Sequence, residues 1–238
     1  MHTDQWGQEV TAASAEAVEA LDTTLMAYLG LRLDTGDHLK SAFKADPEMP
    51  MASIARGNFM QLFCHAGLLR KADESIVDAE AAIAKHGATR REELHLQALK
   101  AWRAGDLRAT LDGWEQVLIE NPNDALALRL AHFLHFYLGD MQCMRDSINR
   151  VMYAWDSSVP AYGFVRGMQS FGFEETGNYA AAEAAGRGIE LVKVLHSVKR
   201  DEKGKRHRDA ERLRAGRGGG IKGGTAGGDQ SDLFGAGA

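Results

Sequence analysis

Gly105-Asp106 and Gly139-Asp140 stand 34 residues apart, and Gly177-Asn178 follows 38 residues after the second pair. Each glycine can take the left-handed backbone that ends a helix. Each Asp or Asn can accept the free N–H groups at the start of the next. A chain punctuated in this way is a series of short helical hairpins. One hairpin cannot bury its own apolar face, so neighbours have to stack.

The residues between the pairs agree with that frame. Around Gly105, Leu94, Ala98, Trp114, Val117 and Pro122 fall where a 34-residue helical repeat takes an apolar, a small, an aromatic, an apolar and a proline residue. The second unit repeats the pattern with Leu128, Ile148 and Val151, but carries His132 where a small residue is usual. The third supplies Ser170, Ala182 and Ile189. Thirty-four residues is the tetratricopeptide period. The predicted fold is all-α, with tetratricopeptide-like hairpins over residues 89–191 forming a right-handed superhelix. Residues 1–88 are expected to supply four lead-in helices. Val18, Leu21, Leu25, Tyr28 and Leu29 give the first, stopping at Gly30. Leu39, Ala42 and Phe43 give the second, ending before Asp46-Pro47. Pro50 opens a third with Ile54, Phe59, Met60 and Phe63, and Ile76, Ala79 and Ile83 a fourth, closed by Gly87. Thr89 and Glu92 have the spacing of a capping box.

Charge divides the chain. Of 28 Lys/Arg and 33 Asp/Glu, residues 192–238 hold 11 and 6, with 11 of the 26 glycines. The acidic part before position 192 and the basic, glycine-rich part after it are different kinds of chain. The tail is expected to be a solvated helix extension ending in disorder and not a nucleic-acid arm, because aromatic interleaving is missing. Its abrupt onset also fits a frameshift, which would leave the last hairpin uncapped and prone to self-association. No apolar run approaches a bilayer span, the N-terminus does not read as a signal peptide, and two cysteines are too few for a disulfide framework. Cys64 and Cys143 sit in apolar helical patterns and are expected to be buried, reduced thiols in a cytoplasmic protein.

The stretches Thr89-Arg90-Arg91-Glu92, Phe136-Tyr137-Leu138-Gly139, Met144-Arg145-Asp146-Ser147 and Ser170-Phe171-Gly172 resemble the tetratricopeptide repeat protein 38 family. The resemblance covers roughly residues 10–191. It implies a helical repeat architecture and no particular reaction. The segment after Leu191 departs from the family pattern.

No nucleophile elbow, phosphate loop or dinucleotide fingerprint is present. Cys64 and His65 are adjacent on a predicted helix, so their side chains diverge. His132 and His135 at i, i+3 can point two imidazoles at one metal, but no carboxylate or third histidine at a further helical step completes a set. Packed, hydrogen-bonded histidines are the expectation, with no metal and no cofactor. The inner face of the array is the stronger candidate. In this register His95, Leu99, Trp102, Arg129, Phe133, Phe136 and Phe171 line the concave groove, with a single cation among aromatic rings. Such a lining suits a peptide, a partner protein or a small ligand. The Lys and Asn pattern with which some tetratricopeptide domains clamp a chaperone's terminal carboxylate is absent. The expected function is non-catalytic binding, in preference to an enzyme that uses His132 or His135 with further sequence beyond Leu191.

Overall fold

A computed structural model describes residues 1–187. The expected tail, residues 192–238, and Ile189, expected in a third repeat, lie outside the described residues 1–187. Among them are ten α-helices and one short strand pair. The helices are α1 (Ala15–Leu29), α2 (Thr35–Ala45), α3 (Pro50–Leu62), α4 (Leu69–His86), α5 (Arg90–Arg103), α6 (Leu107–Glu120), α7 (Ala125–Leu138), α8 (Met141–Val151), α9 (Tyr162–Glu175) and α10 (Tyr179–Gly186). Consecutive helices pack as tight pairs, and α5 to α10 each lie against the next. No helix among the described residues is long and apolar enough to cross a membrane.

The glycine–aspartate pairs build one device three times. Gly105, Gly139 and Gly177 have φ of +81°, +74° and +75°. Around Gly139, the Asp140 N–H donates to the His135 carbonyl (2.9 Å) and the Gly139 N–H to that of Phe136 (3.0 Å). These are the two bonds that satisfy the last carbonyls of a helix ended by a left-handed residue. The same pair joins Asp106 to Ala101 and Asn178 to Phe173. The residue after each glycine then caps the next helix, its side chain accepting from Ala109, Cys143 or Ala181. Two residues thus close one helix and open another. Thr89 and Glu92 form the expected capping box.

Close approach between helices, α5 with α6 and α3 with α5, depends on small residues. A Cβ on Gly113 would lie 3.0 Å from Ala98 Cβ, and one on Gly57 would lie 2.5 Å from Leu99 Cδ2. Trp114 is fully buried between its helices, and Trp102 meets it edge-on at 5.3 Å between ring centroids. One apolar cluster runs from Trp6 and Val10 through every helix pair up to Val165 and Met168 on α9.

The first eleven residues carry a feature the periodicity did not predict. β1 (His2–Thr3) pairs antiparallel with β2 (Glu9–Val10). Asp4 Oδ1 ties the loop between them by accepting from Trp6 N and Gln8 N. Its Oδ2 reaches Arg91 Nη1 on α5 at 3.0 Å, and Arg91 Nε donates to Asp124 Oδ2 at 2.5 Å. His95 Nε2 donates to that same Asp124 oxygen (2.9 Å), while Asp124 Oδ1 caps α7 through Ala127 N (2.7 Å). All four side chains are buried. Burial alone would raise the Asp124 pKa; the Arg91 guanidinium and then His95 outweigh it and hold the carboxyl far below its usual range. Burial wins at Asp4, which is raised despite the Arg91 charge. Thr11 donates twice to the buried Glu92 carboxylate, and Trp6 Nε1 donates to the Pro160 carbonyl at 2.9 Å.

Two expectations are corrected here. Cys64 and Cys143 are exposed free thiols. Cys64 follows α3 with a φ of +49°, where the chain turns away from the core, and Cys143 lies on the outer side of the first turn of α8. The apolar residues beside them mark buried neighbours, which helical spacing over so few residues did not separate from the thiols.

Two substitutions test this packing. Trp114→Ala is expected to cost about 3–5 kcal/mol in denaturant melts, the range for a large core aromatic; a loss below about 1 kcal/mol would refute the tight packing. Arg91→Met leaves two buried carboxylates without their cation and is expected to cost about 3–5 kcal/mol, with accelerated proteolysis before residue 14. Parent-like stability would show that Asp4 and Asp124 find another partner.

Candidate functional site

Arg129, His132, Phe133, Phe136 and Tyr137 fall at i, i+3, i+4, i+7 and i+8 on α7, so they make one continuous stripe. The Arg129 guanidinium lies over the Phe133 ring, 4.0 Å from its centroid. Phe133 stacks on Tyr137 at 6.1 Å, Phe136 packs against Tyr137 at 6.0 Å, and Phe171 of α9 meets both Phe136 (5.4 Å) and His132 (5.9 Å). α1 lies against α7, and a Cβ on Gly30 at its end would be 3.5 Å from Phe164 Cζ of α9. Tyr28, two residues earlier, packs its ring at a tilt against Phe59 at 4.6 Å and adds its hydroxyl to the electrostatic surroundings of Arg129.

Three polar atoms of this cluster lack partners. Arg129 Nε, Tyr28 Oη and His132 Nδ1 are each buried without a hydrogen bond. Arg129 forms no ion pair with a carboxylate among the described residues; the groups that favour its charge are Tyr28 and Tyr137. Burial pushes its pKa down, pushes that of Tyr28 well above the ordinary phenol range, and lowers His132 to about 3, with the Arg129 charge adding to the last. A neutral imidazole, a neutral phenol and an uncompensated guanidinium therefore share one aromatic wall. Outside the wall Phe136 is 37% and Tyr137 60% exposed.

The seven residues expected in the groove divide into three groups. Arg129, Phe133, Phe136 and Phe171 come together as one cluster. Trp102 is half-buried and packs on Trp114. His95 and Leu99 are fully buried, which corrects their assignment: His95 serves the Asp124 network, and Leu99 fills the space left by Gly57. Tyr28 and Tyr137 were not anticipated. The stripe on α7 was legible at Tyr137, whereas nothing local to Tyr28 shows that α1 lies against α7.

A second cluster lies around His135. A ring nitrogen of His135, a carboxylate oxygen of Asp140 and the Cys143 sulfur gather within 4.8 Å of one another, with His135 Nδ1 3.7 Å from Asp140 Oδ2. The hinge at Gly139 folds the start of α8 back on the last turn of α7 and so brings them together. His132 is not part of this group. The expected hydrogen bonds of the two histidines are also incomplete, since Nδ1 of each is without a partner.

The fold and the Arg129 cluster define a mostly helical, paired-helix protein with a cation set in an aromatic face. No protein-family model matches the chain, and no solved structure matches it either.

Holding His132 neutral has a thermodynamic cost in acid. Its pKa is 6.5 in an unfolded chain and about 3 in the fold, so the unfolded state takes up the proton first and stability is lost as pH falls below 6.5 towards 3. His132→Gln is expected to remove about 2 kcal/mol of the loss between pH 7 and pH 5, read as the difference between denaturant melts at the two values. An identical loss in parent and variant would show that His132 protonates freely in the fold.

Proposed function

We propose that this chain is a non-catalytic binding protein of the tetratricopeptide type, related to the tetratricopeptide repeat protein 38 family. In this reading the helix pairs continue as a right-handed superhelix, and its concave groove takes a peptide, a partner protein or a small ligand through an anionic group at Arg129. The observation that carries it is the Arg129 guanidinium, seated over Phe133 with its Nε buried and unpartnered and no counter-ion among the described residues. A charge removed from water without a partner is costly. A carboxylate would recover that cost, accept from Tyr28 Oη beside it, and lay an apolar body on Phe133, Phe136, Tyr137 and Phe171. Catalysis by His132 is the weaker reading, because an imidazole with a pKa near 3 is a poor base at neutral pH. A cytoplasmic setting belongs to the same proposal, since two exposed thiols stay reduced there.

The test is a thermal-shift screen of aromatic and aliphatic carboxylates against the matching amides. The acids are expected to raise the melting temperature and the amides to leave it unchanged. Arg129→Ala should abolish the shift while melting within a few degrees of the parent. Equal response to acid and amide would refute the anion assignment. A variant that unfolds would make Arg129 a structural residue instead.

A further inference from the structure

The group at the Gly139 hinge is arranged as a metal site. His135 is 5% exposed and its Nδ1 has no hydrogen-bond partner. That nitrogen faces Asp140 Oδ2 at 3.7 Å. The two oxygens of Asp140 are in separate use: Oδ1 caps α8 by accepting from Cys143 N (3.2 Å), which leaves Oδ2 available to a cation. The exposed Cys143 sulfur lies within 4.8 Å of the same carboxylate. Behind the ring, His135 Nε2 faces Glu115 Oε1 at 3.5 Å, and that oxygen is buried and otherwise unpartnered. Arg150 fixes the carboxylate through Oε2. A histidine with a carboxylate on one nitrogen and a free second nitrogen is oriented for a metal.

The other two hinges supply a comparison within the molecule. The backbone is the same at Gly105 and Gly177, yet the positions of His135 and Cys143 are held there by Ala101 and Ala109, and by Phe173 and Ala181. The hinge therefore needs neither side chain for its own geometry.

We propose that His135, Asp140 and Cys143 bind a divalent transition-metal ion of zinc's class. Nδ1, Oδ2 and the thiolate take three positions of a tetrahedron, and water takes the fourth. The nitrogen, oxygen and sulfur donors suit zinc and not magnesium or calcium. The donor atoms lie within 4.8 Å, against about 3.5 Å between ligands of a tetrahedral zinc. Torsion of the exposed Cys143 and Asp140 side chains closes that gap around the fixed histidine. The thiol proton leaves to solvent as the sulfur–metal bond forms. A cavity of about 360 Å³ over Glu115, His135, Asp140 and Cys143 gives access to the open position.

The experiment titrates the tag-free full chain with Co²⁺ under a non-chelating reductant, then displaces it with Zn²⁺. One equivalent of Co²⁺ is expected to give a sulfur-to-cobalt charge-transfer band with tetrahedral visible bands, both lost on adding Zn²⁺. Cys143→Ala, at an exposed position, should remove the charge-transfer band, and Cys64→Ala should retain it. Glu115→Gln should weaken Zn²⁺ binding by about 10–100-fold, the usual effect of removing a carboxylate behind a ligating histidine. Absence of the band in the parent, its survival in Cys143→Ala, or parent affinity in Glu115→Gln would each overturn the site as drawn.

Discussion

Arg91 is the point at which this molecule is tied together. One guanidinium holds a carboxylate from the N-terminal loop and another from the cap of α7, while its own helix contributes His95 to the second. Three segments far apart in sequence converge on one buried charge. Because Asp124 also caps α7, the helix that carries the aromatic stripe is set by the same network. Buried ion pairs add little net stability over well-packed apolar groups, but they tolerate few alternative arrangements. Here that intolerance fixes where residues 1–14 lie, and so what α1 can cover.

The helices themselves were legible because their boundaries are local chemistry. Ser14, Thr89, Asp106, Asp124, Asp140 and Asn178 each hold a backbone N–H three residues ahead, and a glycine or proline marks most of the opposite ends. The strand pair was not legible: two residues on each side leave no alternation to detect, and its anchor is Arg91, on α5. His95 and Leu99 show the same limit from the other side. Their spacing puts them on the right helical face, but periodicity does not say that Gly57 and Asp124 already occupy it.

The two candidate sites differ in how much of each lies in one stretch of chain. The stripe from Arg129 to Tyr137 is contained in α7 and holds three of the seven expected residues, and Phe171 joins them from α9. Tyr28, which supplies the phenol beside Arg129, comes from α1. The His135 cluster lies within nine residues, His135 to Cys143, yet a purely helical reading hides it. On a continuing helix those residues would point to different sides; the reversal at Gly139 is what gathers them.

The Trp6–Pro160 contact sets an order of events during synthesis. The indole emerges 154 residues ahead of the carbonyl that receives it. At about 5–20 residues per second, the N-terminal segment waits roughly 8–30 s for its last partner. The helix hairpins close through neighbours in sequence and have no such delay. The first part of the chain to be made thus completes its contacts only after α7 and α8 have been made.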